Sequence, residues 1–308
     1  MNKRIIKKRK KKKNYYAYAD FILIILLIVI IVVLFKPSNK TNSDPNNSND
    51  NNTNNSSNIN NNSNNTNNDN NDFKMLSYYK EEYKERYLNY QKKNTNLSKE
   101  KTIIYVNIGL DQDFYTNVKD SPNKYTDTVL VNKYNFLGED YVPKNLTKIN
   151  TKYAISNDKY MEKNATVAFE EMAKDAKKDG YNVIAVSTYR SYNYQKNLYK
   201  NYSNKDGIEK ADKYSARAGY SEHQTGLAVD VSNGKTEYTK FGDTKEFKWM
   251  QDNCYKYGFI LRFTKENEFI TGYMNEPWHY RYVGKEIATY IHNNPMTYEE
   301  YYVRFLEK

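Results

Sequence analysis

The stretch that decides the reading is Ser221-Glu222-His223-Gln224-Thr225-Gly226-Leu227-Ala228-Val229-Asp230-Val231. It holds one of only three histidines in a chain of 308 residues, and a second, His279, follows in Glu276-Pro277-Trp278-His279. On a straight helix the seven-residue step from His223 to Asp230 would rise roughly 10 Å, too far for both to reach one ion at about 2 Å. On a straight strand an odd step would send them to opposite faces. The chain must therefore bend between them, and Gly226 permits the bend. Residues 227–231 are rich in strand formers, which places Asp230 on a buried strand. A carboxylate is costly there unless it is paired or bound to a metal.

Catalytic zinc takes three His or carboxylate ligands and keeps an open position for water. His223, Asp230 and His279 supply such a set, and Glu276 is left over as a base. Each motif alone has an ordinary reading: His-x6-Asp as a hydrogen-bonded core pair, Glu-x-x-His as a chance helical spacing. Together they account for two of the three histidines in a histidine-poor chain. That coincidence favours a mononuclear zinc hydrolase.

These two segments, with Ser-Thr-Tyr-Arg-Ser-Tyr at 187–192, resemble the signature segments of the zinc D-alanyl-D-alanine carboxypeptidases. This is the VanY-type group, related to VanX-type dipeptidases and L,D-carboxypeptidases. The similarity runs from about Lys101 to Leu306, with no substitution at a motif position. It implies that His223, Asp230 and His279 hold Zn2+, that Glu276 is the general base, and that Arg190 polarises the scissile carbonyl or grips the substrate. Ser221 and Gln195 become expected peptide contacts, and Trp278 a wall of the pocket or a core residue. The implied reaction is removal of the C-terminal D-alanine from peptidoglycan stem peptides. L,D-carboxypeptidase action on the tetrapeptide is the alternative, and a non-catalytic wall-binding module with structural zinc is the rival from another class. An intact Glu276 speaks against that module, since binding alone needs no base.

The net charge of +11 invites a nucleic-acid reading, but its location argues against one. Nine of those charges lie between Lys3 and Lys13, leaving +2 for everything after. Behind this basic head (1–15), Phe21 to Phe35 is an unbroken run of fifteen apolar residues. As a helix it spans roughly 22 Å, short of the ~30 Å hydrocarbon core, and Tyr15 to Ala19 extend it into the interface. A transmembrane anchor at 16–36 is expected, oriented with the positive head in the cytoplasm. The competing reading, a cleaved signal peptide, lacks a small-x-small site after Phe35. Residues 37–72 are almost all Asn, Ser, Thr and Asp and cannot bury enough surface to offset their ordering entropy, so a disordered linker is expected. The result is a single-pass membrane protein with an extracellular domain at 73–308.

For that domain the patterning predicts an α+β fold, an antiparallel sheet flanked by helices. Tyr83, Tyr87 and Tyr90 recur at helical spacing. Thr102–Ile108 and Thr128–Val131 read as strands, and 132–146 as a loop wrapping the core. Asn164–Lys178 reads as an amphipathic helix stopped at Gly180. Asn182–Ser187 reads as a buried strand delivering Arg190, and Ser191–Asn201 as a helix. Residues 205–218 read as a polar flap in which Arg217 could touch substrate. Glu246–Tyr257 reads as a helix, Gly258–Phe263 as a strand and 264–275 as a loop. Thr297 and Glu300 form a capping box, and His292 is an ordinary surface residue. Cys254 is the only cysteine, so no intramolecular disulfide can form, and its helical setting suggests a buried, inert thiol. Oligomeric state leaves no mark in the sequence.

Overall fold

The computed structural model describes residues 76–307; the expected cytoplasmic head, membrane span and linker (1–72) lie outside them. Among the described residues no helix is long and apolar enough to cross a membrane. The central sheet has four strands, β1 (Ile184–Ser187), β2 (Ala228–Ser232), β3 (Phe259–Leu261) and β4 (His279–Tyr282). Their order is β1-β2-β4-β3, and every pairing is antiparallel. Two short ladders flank it, Lys119–Asp120 with Asn135–Phe136 and Leu146–Lys148 with Tyr160–Glu162.

The period of two along β2 separates its duties. Val229 and Val231, with Tyr280 from β4, are fully buried in the main apolar core, together with Phe169, Met172 and Ala176 of the helix Lys163–Lys178. Burying each large apolar side chain contributes roughly 1.5–3 kcal/mol. The opposite parity carries Asp230, and the register sets it directly across from His279. On the other side, Ser187 of β1 pairs with Asp230 past a register shift, so Arg190 emerges just beyond the same point. Strand pairing alone thus brings three segments, distant in sequence, to one spot.

The helices include α1 (Lys84–Lys93), α2 (Lys99–Ile108), α3 (Lys163–Lys178), α4 (Tyr192–Asp206), α5 (Lys245–Asn253), α6 (Lys285–Asn293) and α7 (Tyr298–Tyr301), and single helical turns at Ile208–Ala211 and Glu268–Thr271 interrupt the segments read as flap and loop. The antiparallel sheet flanked by helices agrees with the expected class, and α1, α3, α4 and α5 stand where periodicity put them. The strand expected at Thr102–Ile108 is instead the body of α2. All seven of those residues are buried, and an apolar run covered on every side shows no period that separates helix from strand. The ends decide: Ser98 accepts from the Lys101 N–H at the start, and Gly109 (φ 111°) closes the helix in the left-handed region.

The strand expected at Thr128–Val131 is also absent. The Asp127 and Val129 carbonyls accept hydrogen bonds from Arg281 Nη2, at 3.2 and 2.8 Å, so a buried side chain supplies partners a neighbouring strand would otherwise give. β1 is shorter than read and only half-buried, as suits an edge strand. The capping box at Thr297 and Glu300 is present in full, His292 is exposed and Cys254 is buried. Burial pushes the Cys254 thiol up to about 12.

Candidate metal centre and active site

His223 sits in a single 3-10 turn, Glu222–Thr225, which ends at Gly226 in the left-handed region (φ 71°). That is the bend the spacing demanded, and it turns the chain straight into β2. Glu276-Pro277-Trp278-His279 forms another turn, closed by the His279 N–H donating to the Glu276 carbonyl at 3.0 Å. It folds Glu276 back beside the imidazole, with Oε2 3.9 Å from His279 Nδ1.

His223, Asp230 and His279 are all buried, and one donor atom from each lies within 4.8 Å of the others. Asp230 Oδ1 is 3.0 Å from His279 Nδ1 and 3.3 Å from His223 Nε2. Two ligands at about 2.0–2.1 Å from a tetrahedral ion stand about 3.3 Å apart, so the spacing suits one ion. The tautomers suit it too. His223 Nδ1 donates to the Thr188 carbonyl at 2.7 Å, which leaves Nε2 as a lone pair, buried and without a hydrogen-bond partner. His279 Nε2 faces Glu222 Oε2 at 3.2 Å, which frees Nδ1 towards the cluster.

Electrostatics carry the same message. Burial, reinforced by Arg190, holds His223 down to about 4, so it is neutral. Burial also opposes charge on His279, but Asp230 and Glu222 outweigh it and lift the imidazole to about 9. Burial works against the Asp230 charge as well, yet the two histidines keep its carboxyl well below the usual range. A proton shared at His279 thus stands where a cation would be welcome. Burial pushes Glu276 up to about 8; His279 and Arg190 oppose the rise and Asp230 adds to it. Burial thus opposes the negative charge on Glu276, and a cation in the cluster would favour the carboxylate that a general base needs.

Arg190 lies at the edge of this cluster, Nη2 3.6 Å from Asp230 Oδ2. Its Nη1 donates to Gln195 Oε1 at 3.0 Å, and Gln195 is itself anchored by donating to the Ala216 carbonyl at 2.7 Å. Gln195, expected to touch the peptide, is therefore placed to hold the guanidinium. Ser221 is buried and borders a small inner cavity together with Glu276, His223 and His279. Trp278 packs edge-on against Tyr238 and lines a groove of about 840 Å³ into which Arg190, Asp230 and Glu276 open. Arg217, read as a possible substrate contact, is turned instead into a salt bridge with Asp212 at 2.9 Å.

The sequence reading missed the surroundings of Glu222. Its Oε1 accepts from Arg262 Nε at 2.9 Å and Arg281 Nη1 at 3.1 Å, and Arg262 forks onto Glu299 at 2.9 and 2.6 Å. Glu222 stood inside the quoted motif, between Ser221 and His223, and its adjacency to His223 was the one available signal. Lys133 was missed as well. Its ammonium is buried, donating to the Asp212 and Gly272 carbonyls at 2.7 and 2.6 Å and lying over the Tyr273 ring.

A buried two-histidine, one-carboxylate cluster with an adjacent carboxyl and guanidinium, opening on a groove, defines a site of the zinc-peptidase class. Residues 158–285 match the family model described as VanY, D-alanyl-D-alanine carboxypeptidase. The putative carboxypeptidase YodJ of Bacillus subtilis (strain 168) is 45% identical over 179 residues, 56% of this chain and 66% of YodJ. A D-alanyl-D-alanine carboxypeptidase of Enterococcus faecium is 37% identical over 143 residues, 46% of this chain and 44% of that protein. The solved structure of the LD-carboxypeptidase LdcB superposes with a TM-score of 0.58 at 42% identity, covering 61% of this chain and 91% of LdcB. The chain belongs to the VanY-type family of zinc peptidases. The metal of the family, Zn2+, is the one the donor set fits. The matched segments span less than two thirds of the curated relatives' own length.

Proposed function

We propose that this chain is a membrane-anchored zinc carboxypeptidase that removes the C-terminal D-alanine from peptidoglycan stem peptides. The observation that carries the reading is the convergence of the metal cluster, Glu276 and Arg190 on one groove. His223, Asp230 and His279 would hold the ion. When bound, Zn2+ would supply a Lewis acid for the scissile carbonyl and for the water that attacks it. Glu276 takes the proton of that water on its carboxylate and returns it to the leaving amine. Arg190, held by Gln195, presents a planar, permanently charged donor to the developing oxyanion or the terminal carboxylate of the peptide. Trp278 and Tyr238 wall the groove into which the scissile bond would be laid.

L,D-carboxypeptidase action on the tetrapeptide is the second reading. It is favoured by the structural match to an LD-carboxypeptidase over nearly its whole length. Offering a pentapeptide and a tetrapeptide in parallel, with products read by mass spectrometry, separates the two. Loss of D-alanine from the pentapeptide alone supports the first reading, and loss from the tetrapeptide alone supports the second. Release from neither by zinc-loaded protein would leave only the wall-binding module. The anchored topology is supported by the apolar run at Phe21–Phe35 behind nine basic residues. Its test is fractionation of the full chain, which should need detergent for extraction and stay soluble once residues 1–72 are removed.

A further inference from the structure

Behind His279 lies a chain of four buried charges. His279 Nε2 meets Glu222 Oε2 at 3.2 Å, Glu222 Oε1 accepts from Arg262 and Arg281, and Arg262 is bidentate on Glu299. Glu299 Oε1 accepts in turn from Asn132 Nδ2 at 3.2 Å. All of these side chains are at least nine-tenths buried. Stability is a poor explanation for such a set, because desolvating buried ions cancels most of their mutual attraction, and apolar replacements often do as well. The geometry has a direction instead: it leads from the ligand nitrogen's opposite edge to α7. Glu299 and Asn132 both lie outside residues 158–285, the part that matches the family model, so segments on either side of that part close the relay.

We propose that Glu222 is a positioning residue for the metal ligand His279, and that Glu299, on the C-terminal helix α7, completes it by neutralising Arg262. Glu222 fixes which imidazole nitrogen carries the proton and which faces the cluster, the usual task of a carboxylate behind a ligating histidine. Two guanidiniums converge on that one carboxylate, and Glu299 balances the second. Without Glu299, Arg262 would be an uncompensated cation one residue removed from the ligand. It would draw on Glu222 at the expense of His279 and add positive potential where a dication must bind.

The inference rests on the metal-site reading, and the experiment separates the two. Zn2+ affinity is measured by competition with a chromophoric chelator, and urea unfolding of the metal-free forms is followed beside it, for wild type, Glu222→Gln, Glu299→Gln and Thr297→Ala. Thr297→Ala weakens the cap of the same helix without changing its charge. Glu222→Gln, which keeps an acceptor but loses the charge, is expected to lower affinity by about 10–100-fold. Glu299→Gln should lower it in the same sense by less, and Thr297→Ala should cost stability while leaving affinity at the wild-type value. If wild type binds no zinc, the metal-site reading itself fails. If wild type binds but Glu299→Gln stays within about twofold of it, the relay is structural only. Should Glu222→Gln not fold, the comparison of Glu299→Gln with Thr297→Ala still decides.

Discussion

At the scale of single residues the site depends on groups whose ordinary behaviour burial has changed. Glu276 touches the cluster only at 3.9 Å, so it is free to handle a proton rather than to ligate. Glu276→Ala is therefore expected to keep stoichiometric zinc while turnover falls by at least about 10²–10⁴-fold. Zinc content by atomic absorption beside peptide turnover checks it, and normal turnover would remove the proposed base. Lys133 offers a separate test that does not depend on bound zinc. Burial, with Arg217 adding and Asp212 and Glu276 opposing, lowers its ammonium from the ordinary 10.5 to about 8. Below pH 8 both folded and unfolded chains carry the charge and the folded state bears the full penalty. Between about 8 and 10.5 the folded chain sheds its proton first, so this penalty fades and the contribution of Lys133 to stability rises with pH. Lys133→Met has no such proton, so the stability of wild type relative to it should climb across that window; a flat difference in urea unfolding would refute the buried charge. The residues of the candidate metal cluster were legible because histidine is scarce and their spacing is restrictive. Lys133, Arg262 and Glu299 were not, because a buried charge reads in sequence like any surface one.

At the scale of elements, the bend between His223 and Asp230 was the most informative inference available from spacing alone, and Gly226 makes it. A Cβ at Gly226 would lie 3.1 Å from the Glu162 amide nitrogen and 3.2 Å from Leu146 Cδ2. That amide already donates to the Gly226 carbonyl at 2.8 Å, so it has little room to retreat. Gly226→Ala adds the cost of a left-handed Ala to this crowding and is expected to destabilise the domain by about 1–3 kcal/mol. It should also weaken zinc binding, because the turn sets the distance between two donors; unchanged affinity in a destabilised variant would show that the turn serves folding alone. Helices with one apolar stripe, such as α3, announced themselves, whereas α2 did not. Its residues Ile103, Ile104 and Val106 are all fully buried, and tertiary cover overrode the strand preference of β-branched side chains. Its caps, Ser98 and Gly109, were in plain view, and weighing them above composition would have corrected the assignment.

At the scale of the whole molecule, the proposed ligands come from three places: the turn before β2, β2 itself and β4. β2 and β4 are the two inner strands of the sheet. A metal there ties the sheet centre to the loop carrying His223, and removing it leaves buried, polar groups clustered without their counter-charge. Binding to the folded chain alone stabilises it by RT ln(1 + [L]/Kd), about 2.7 kcal/mol when free zinc exceeds Kd a hundredfold. For a domain of this size each kcal/mol moves Tm by about 2–4 °C. Chelation is thus expected to lower Tm by about 5–10 °C at that zinc level, and a return of zinc, but not of Mg2+, should restore it, since the two imidazoles favour zinc over a hard cation. Calorimetry with and without chelator gives the value. A Tm indifferent to chelator in protein shown to contain zinc would mean that the ion sits on a preformed sheet without holding it, and that the apo cluster is already satisfied by the proton on His279.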